Sequence, residues 1–235
     1  MSDKKFKSSD IKGMASSNEI SAVVQPRIYS SNKTKLEDAV PLRTPFSVHI
    51  DVCSYCNFKC SFCFQADIAG KKDKGFPHGM MKMELFKKTV DDLKVFPDKI
   101  KKIKIGNHGE PTMHPDLPKH VEYARKSGVA DIVEIFTNGS KLNPKLNREL
   151  VDAGLQRINI SLEGLSSERY LKVAKAKIVW EEFVANIKDL YEYSRNKGDL
   201  VIYVKVVNNA SEVNEKTVFS LSDEEKDYFY KTFGN

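Results

Sequence analysis

Cys53, Cys56, Cys60 and Cys63 are the only cysteines of the chain, and they fall within eleven residues. Thiolates so close on one loop can share one inorganic centre, and soft sulfur ligands suit iron–sulfur clusters or zinc. The last three read C-x3-C-x2-C. Three thiolates hold three corners of a cubane and leave one iron open to a substrate or cosubstrate. Four would close the cluster for electron transfer. Structural zinc usually takes two C-x2-C knuckles set roughly 12–20 residues apart, whereas only three residues separate Cys56 from Cys60. A bacterial ferredoxin run has a different order and a following proline. Disulfides need an oxidising compartment, and Met1 to Asp10 is Lys- and Ser-rich with no apolar core of signal type. A cytoplasmic location is therefore expected. Cys53 stands outside the trio and reads as a buried, inert thiol at a strand end; the alternative is a fourth cluster ligand.

The elements that position this loop can be read next. The 235 residues, 40% hydrophobic, suffice for one sizeable core. No run of about 18 apolar residues is present, so no membrane span is expected. The formal net charge of +6 sits partly in short clusters such as Lys99 to Lys104. These read as a solvated surface, and no aromatic-interleaved basic stripe points to a nucleic-acid partner.

Residues 1–44 are polar and aperiodic and read as a flexible or loosely docked tail. Phe46–Val52 alternates apolar and polar residues as a strand does, and the cysteine loop follows. Gly70 to Gly79 reads as a loop able to help close a site. Met83–Phe96 has helical spacing ended by Pro97. Lys102–Ile105 is a strand, Leu117–Lys126 a helix closed by Gly128, and Asp131–Phe136 a strand. A helix runs from Asn143-Pro144 to Gly154, then a strand from Arg157 to Leu162. A longer helix from Trp180 ends near Gly198, and Leu200–Val207 is a fifth strand. Ser222 to Glu225 is a capping box that opens a last helix. Alternating strands and helices favour parallel pairing with right-handed crossovers. Five units are too few for a closed eight-unit barrel. The expected class is α/β, an open curved sheet or partial (β/α) barrel with its site at the C-terminal strand ends.

Those strand ends carry polar residues. Gly106-Asn-His-Gly-Glu-Pro111 combines glycines that let backbone approach a ligand with Glu110, an acceptor for an ammonium. Thr137-Asn138-Gly139 has the composition of a turn. Ser161 and Glu163 share side-chain parity and can face one pocket. The five histidines receive no ligand role and read as surface or capping residues.

The spacing Cys56-x3-Cys60-x-Phe62-Cys63 resembles that of the radical S-adenosylmethionine (radical SAM) family, with Phe62 in its aromatic position. The segment Gly109-Glu110-Pro111 is similar to the family's Gly-Gly-Glu-Pro motif, with His108 in place of its first glycine. The resemblance spans about Phe46 to Asn209. It implies a [4Fe-4S] cluster on Cys56, Cys60 and Cys63, with S-adenosylmethionine on the open iron. It implies reductive cleavage to a 5′-deoxyadenosyl radical that takes hydrogen from a substrate. Gly109, Glu110 and Pro111 would meet the methionyl group. Thr137, Asn138, Ser161 and Glu163 would line the cofactor pocket, and Phe62 and Val207 would lie beside adenine. A one-electron donor such as a flavodoxin or ferredoxin is implied too. The family's partial barrel has six units, so residues 45–235 would form a core one unit short, or a truncated product. Non-catalytic metal binding, electron transfer through Cys53 as fourth ligand, and RNA modification are the alternatives.

Overall fold

The structure is a computed structural model that describes residues 22, 35–64, 78–197, 200–206 and 221–234. Most of the tail, residues 65–77 of the glycine-rich loop and its approach, and Val207 lie outside the described residues. The chain divides into two compact units, Leu42–Val206 and a second made of Met1–Pro41 with Val207–Asn235.

The larger unit is built on one sheet. Strands β1 (Ser47–Ile50), β2 (Ile100–Ile105), β3 (Ala130–Thr137), β4 (Arg157–Leu162) and β5 (Val201–Val206) lie in the order β1-β2-β3-β4-β5. Every pair is parallel. Helices α1 (Met83–Asp92), α2 (Leu117–Ser127), α3 (Pro144–Asp152), α4 (Ser167–Ala174) and α5 (Trp180–Arg195) fill the connections. Strands added in chain order through right-handed crossovers place all the helices on one face. That face carries Ile103, Val133, Ile135, Ile158 and Ile160, each fully buried. The helices bury Phe86, Val90, Leu117, Val121, Leu150, Phe183 and Ile187. Each such side chain contributes about 1.5–3 kcal/mol of transfer free energy. Among the described residues of this unit no helix lies on the opposite face, which is the concave side of a partial barrel.

Local signals set the boundaries. Asn143 caps α3, its side-chain oxygen accepting from the N–H groups of Lys145 and Leu146, both at 3.1 Å. Gly128 ends α2 in the left-handed region at φ 67. β1 is shorter than its alternation suggests. After Ile50 the chain leaves the sheet, and Cys53 forms an isolated antiparallel bridge with Met80. Helix α1 also ends early, because Phe96 turns extended ahead of Pro97.

α4 was not foreseen in the sequence. Ser166 caps it by accepting from Arg169 N–H at 3.2 Å, and it buries Tyr170, Val173 and Ala174. In the smaller unit, α6 (Asp223–Phe233) carries the expected capping box at Ser222 and Glu225. There Gly234 O accepts from Ala22 N–H at 2.8 Å.

Candidate active site

The cysteine loop leaves the C-terminal end of β1 and is held from below by α4. Lys59 N–H donates to Ala174 O at 2.8 Å and Ser61 N–H to Val173 O at 3.0 Å. These carbonyls belong to the last turn of α4, where no intrahelical donor reaches them. Phe58 meets the edge of Tyr170 at 5.8 Å between ring centres. The loop backbone thus docks on a helix end and leaves its thiols to one another.

All four thiols are free. Cys60 is buried, and Cys56 and Cys63 are half-buried. Burial pushes the Cys60 thiol far up, reinforced by Glu163 and by the neighbouring Cys56 and Cys63. Burial also raises Cys56, with Glu110 and Cys63 adding to it against the Phe58 N–H that points at its sulfur. Cys56 and Cys60 are thus desolvated thiols with Cys63 as a neighbour, a donor set that iron would stabilise. A coordinating metal deprotonates its thiols outright.

Among the described residues, no three His, Cys, Asp or Glu side chains are gathered around a single ion position. A zinc ion with Zn–S bonds of about 2.3 Å would need its thiolates drawn together. A cubane would carry each thiolate on a separate iron. Cys53 differs in kind. It is fully buried, donates to Tyr55 O at 3.6 Å, and is raised first by burial and then by Glu110. It is buried at the strand end, as the sequence suggests.

The turns after β2 and β3 meet at Glu110, which is 1% exposed. Its carboxylate accepts from Thr112 N–H at 3.0 Å, Thr112 Oγ1 at 2.5 Å, Thr137 Oγ1 at 2.6 Å and Asn138 N–H at 2.6 Å. Burial nevertheless raises its proton affinity against those four donors. A carboxylate has about four acceptor positions, so this one is filled by its own chain and clamps two strand ends together.

The clamp continues into the cysteine loop. Glu110 N–H donates to Tyr55 O at 2.7 Å. Asn138 Nδ2 donates to Asn57 Oδ1 at 3.0 Å and points at Cys56 Sγ at 3.9 Å. Asn57 in turn donates to Ser140 Oγ at 2.8 Å. Gly109 lies against the same loop at φ 83, and a Cβ there would run into Cys53 O and sit 2.8 Å from Tyr55 O. That close approach is why glycine stands at this position.

Ser161 and Glu163 are half-buried at the end of β4. Burial pushes the Glu163 carboxyl up to about 7. Pro111 opens a short 3-10 turn that Glu110 caps. Phe62 is 50% exposed, free to cover a bound group rather than fill the core. His108, at the departure from the family motif, pairs with Asp51 at 2.8 Å and meets the edge of Phe64.

Two histidines correct the surface reading. His114 and His120 are buried and cross edge-to-face at 4.5 Å. His120 also meets Phe86 at 4.5 Å. Burial, then His114, lowers His120 to about 4. Apolar surroundings disfavour the imidazolium of His120, and both rings serve packing and capping. Sequence reasoning missed Asn57, Thr112, Ser140 and α4. Only Thr112 carried a signal, two residues after an acidic cap.

The model of the Radical SAM superfamily matches residues 50–213. The chain belongs to that superfamily. Membership implies S-adenosylmethionine and an iron–sulfur cluster, and superfamily relatives are enzymes. The radical SAM chain is 30% identical over 151 residues to a tungsten-containing aldehyde ferredoxin oxidoreductase cofactor-modifying protein of Pyrococcus furiosus, covering 64% of this chain and 40% of that protein. It is 34% identical over 128 residues to a probable GTP 3′,8-cyclase of Methanococcus maripaludis, covering 54% and 39%. The chain thus spans about two fifths of the length of these relatives.

Among solved structures, SuiB of Streptococcus suis bound to S-adenosylmethionine aligns at TM-score 0.56 and 17% identity, over 75% of this chain and 37% of that one. The enzyme anSMEcpe with bound AdoMet and a Cp18Cys peptide aligns at 0.52 and 18%, over 80% and 61%. These likenesses show the fold, the partial barrel expected from the sequence. No described helix is long and apolar enough to cross a membrane.

Proposed function

We propose that this radical SAM protein holds a [4Fe-4S] cluster on Cys56, Cys60 and Cys63 and cleaves S-adenosylmethionine reductively to act on an organic substrate. The observation that carries this reading is the trio Cys56, Cys60 and Cys63 on one loop docked on the end of α4, with Cys53 bonded away from them. When bound, cluster and cosubstrate supply a 5′-deoxyadenosyl radical and methionine at the cost of one electron, and the radical takes a hydrogen atom from the substrate.

The chain's own residues position and shield. The Gly109–Pro111 turn faces the methionyl end, with Glu110 fixing that turn. Thr137, Asn138, Ser161 and Glu163 line the pocket, and Phe62 flanks adenine. Residues 45–235 act as the catalytic core and 1–44 as an accessory tail. A flavodoxin- or ferredoxin-like donor in a reducing compartment supplies the electron.

The test is anaerobic reconstitution of the wild-type chain and of Cys60→Ala, with iron and acid-labile sulfide measured. The wild type should hold about four of each per chain, and the variant should lose most of both. A variant that builds the same cluster refutes the ligand assignment. A colourless wild type holding one metal and no sulfide refutes the whole reading in favour of zinc.

A further inference from the structure

The face of the sheet opposite the helices of its own unit carries more charge than packing requires. By register, Lys102 and Lys104 of β2, Glu134 and Phe136 of β3, Arg157 and Asn159 of β4, and Tyr203 and Lys205 of β5 share it. Glu134 is its one buried carboxylate. Lys102 and Lys104 Nζ stand 3.8 Å from Glu134, and Arg157 Nη1 stands 3.3 Å from it. One negative charge thus faces three cations.

Lys205 is a fourth cation, and among the described residues no carboxylate lies within ion-pair distance of it. Its ammonium lies 4.7 Å from the centre of the Phe136 ring, and that of Lys104 lies 5.2 Å from the same ring. Two ammoniums thus approach one aromatic ring. Burial lowers the proton affinity of Lys205; Glu134 opposes that, while Lys104 and Lys102 add to it.

A second, independent observation lies on β3 and β4. Asn159 is fully buried and its Oδ1 has no partner. Arg157 Nε is buried and unpaired, and Glu134 Oε1 accepts no hydrogen bond. Buried polar groups in proteins nearly always find partners, so the unpaired Arg157 Nε asks for an acceptor. Asn159 Nδ2 donates to Ile135 O at 3.4 Å, so its open atom is an acceptor, as is Glu134 Oε1.

We infer that this face binds an oxyanion group of the substrate, a phosphate or a carboxylate, on Lys104 and Lys205, with Arg157 completing the site. The inference rests on the proposed function for the identity of the occupant. Asn159 lies two residues below Ser161 on β4, roughly 7 Å at a strand's rise. The acid group therefore points into the sheet, and the reacting carbon is left at the rim beside the cysteine loop. A basic, partly desolvated floor also concentrates anions from solution.

The test uses the full anaerobically reconstituted chain, titrated calorimetrically with pyrophosphate and, separately, succinate at constant ionic strength. One site per chain is expected. Lys205→Met and Lys104→Met should each weaken it about tenfold or more. Lys145→Met, on an exposed stretch of α3, should leave it unchanged. The tighter of the two probes tells phosphate from carboxylate. In the wild type, pyrophosphate should also protect Lys104 and Lys205, but not Lys145, from acylation mapped by mass spectrometry. That readout needs no variant to fold. Absence of binding by both probes, equal weakening by Lys145→Met, or no selective protection overturns the inference. Displacement of pyrophosphate by S-adenosylmethionine overturns it too, by assigning the site to the cosubstrate. These readings involve neither sulfide content nor cosubstrate cleavage, so their failure is separate from failure of the cluster assignment.

Discussion

The two faces of the sheet obey different rules. On the helix side Ile103, Val133, Ile135, Ile158 and Ile160 are fully buried among aliphatic and aromatic side chains. On the open side neighbouring positions of the same strands carry Lys102, Lys104, Glu134, Arg157, Asn159 and Lys205, with orphaned polar atoms among them. A strand alternates its faces with a period of two, so both sets are written into the same segments. The first set stabilises the fold. The second gathers like charges and leaves buried polar atoms unpaired, as expected of the oxyanion site inferred above.

Substitutions should separate the faces. The largest loss is expected on the helix side, where Ile135→Ala removes a fully buried side chain from a close-packed layer. It should cost about 2–5 kcal/mol in denaturant unfolding. A loss below about 1 kcal/mol would mean the layer is loosely packed.

Next comes acid sensitivity of the helix layer. His120 is held neutral down to about pH 4 against an ordinary value of 6.5. The unfolded chain takes up this proton first. The stability is therefore fully present above about pH 6.5 and drains away as pH falls through about 4, by about 3 kcal/mol. Asp116 and His114 are the titratable groups beside the ring. His120→Phe should flatten the slope in that window. An unchanged slope would place the titrating group elsewhere.

Between the faces lies the Glu110 clamp. Glu110→Gln puts an amide donor among four donors and should cost about 2 kcal/mol. It should also loosen the cysteine loop, read as slower and less complete cluster reconstitution. Unchanged stability with unchanged reconstitution would show that the turn holds without its carboxylate.

The smallest effect belongs to the open face. Lys205→Met removes a cation that faces other cations and should raise the melting temperature slightly, by a gain of at most about 1 kcal/mol. Destabilisation there would mean that Lys205 holds the fold rather than a ligand.

These contrasts also explain what could be read from the chain alone. The cysteine trio and the five strands were legible because their signals are local: a spacing inside eleven residues and apolar runs punctuated by caps. The clamp was not, because Thr137 and Asn138 reach Glu110 from 27 and 28 residues away. α4 is short, and its task is to offer carbonyls to Lys59 and Ser61, which no periodicity shows. The lysines of 99–104 read as a solvated cluster. Strand alternation divides them, leaving Lys101 exposed and turning Lys102 and Lys104 onto the open face beside Arg157 and Lys205. That distinction needs the register between strands, which is a property of the fold rather than of any segment.

The central claim is that three thiols leave one iron free for a sulfonium cosubstrate. The most direct measurement is product analysis of the reconstituted chain with dithionite and S-adenosylmethionine under anaerobic conditions. The account predicts 5′-deoxyadenosine and methionine in equal amounts, and none from Cys60→Ala. An intact cluster that forms neither product would contradict it.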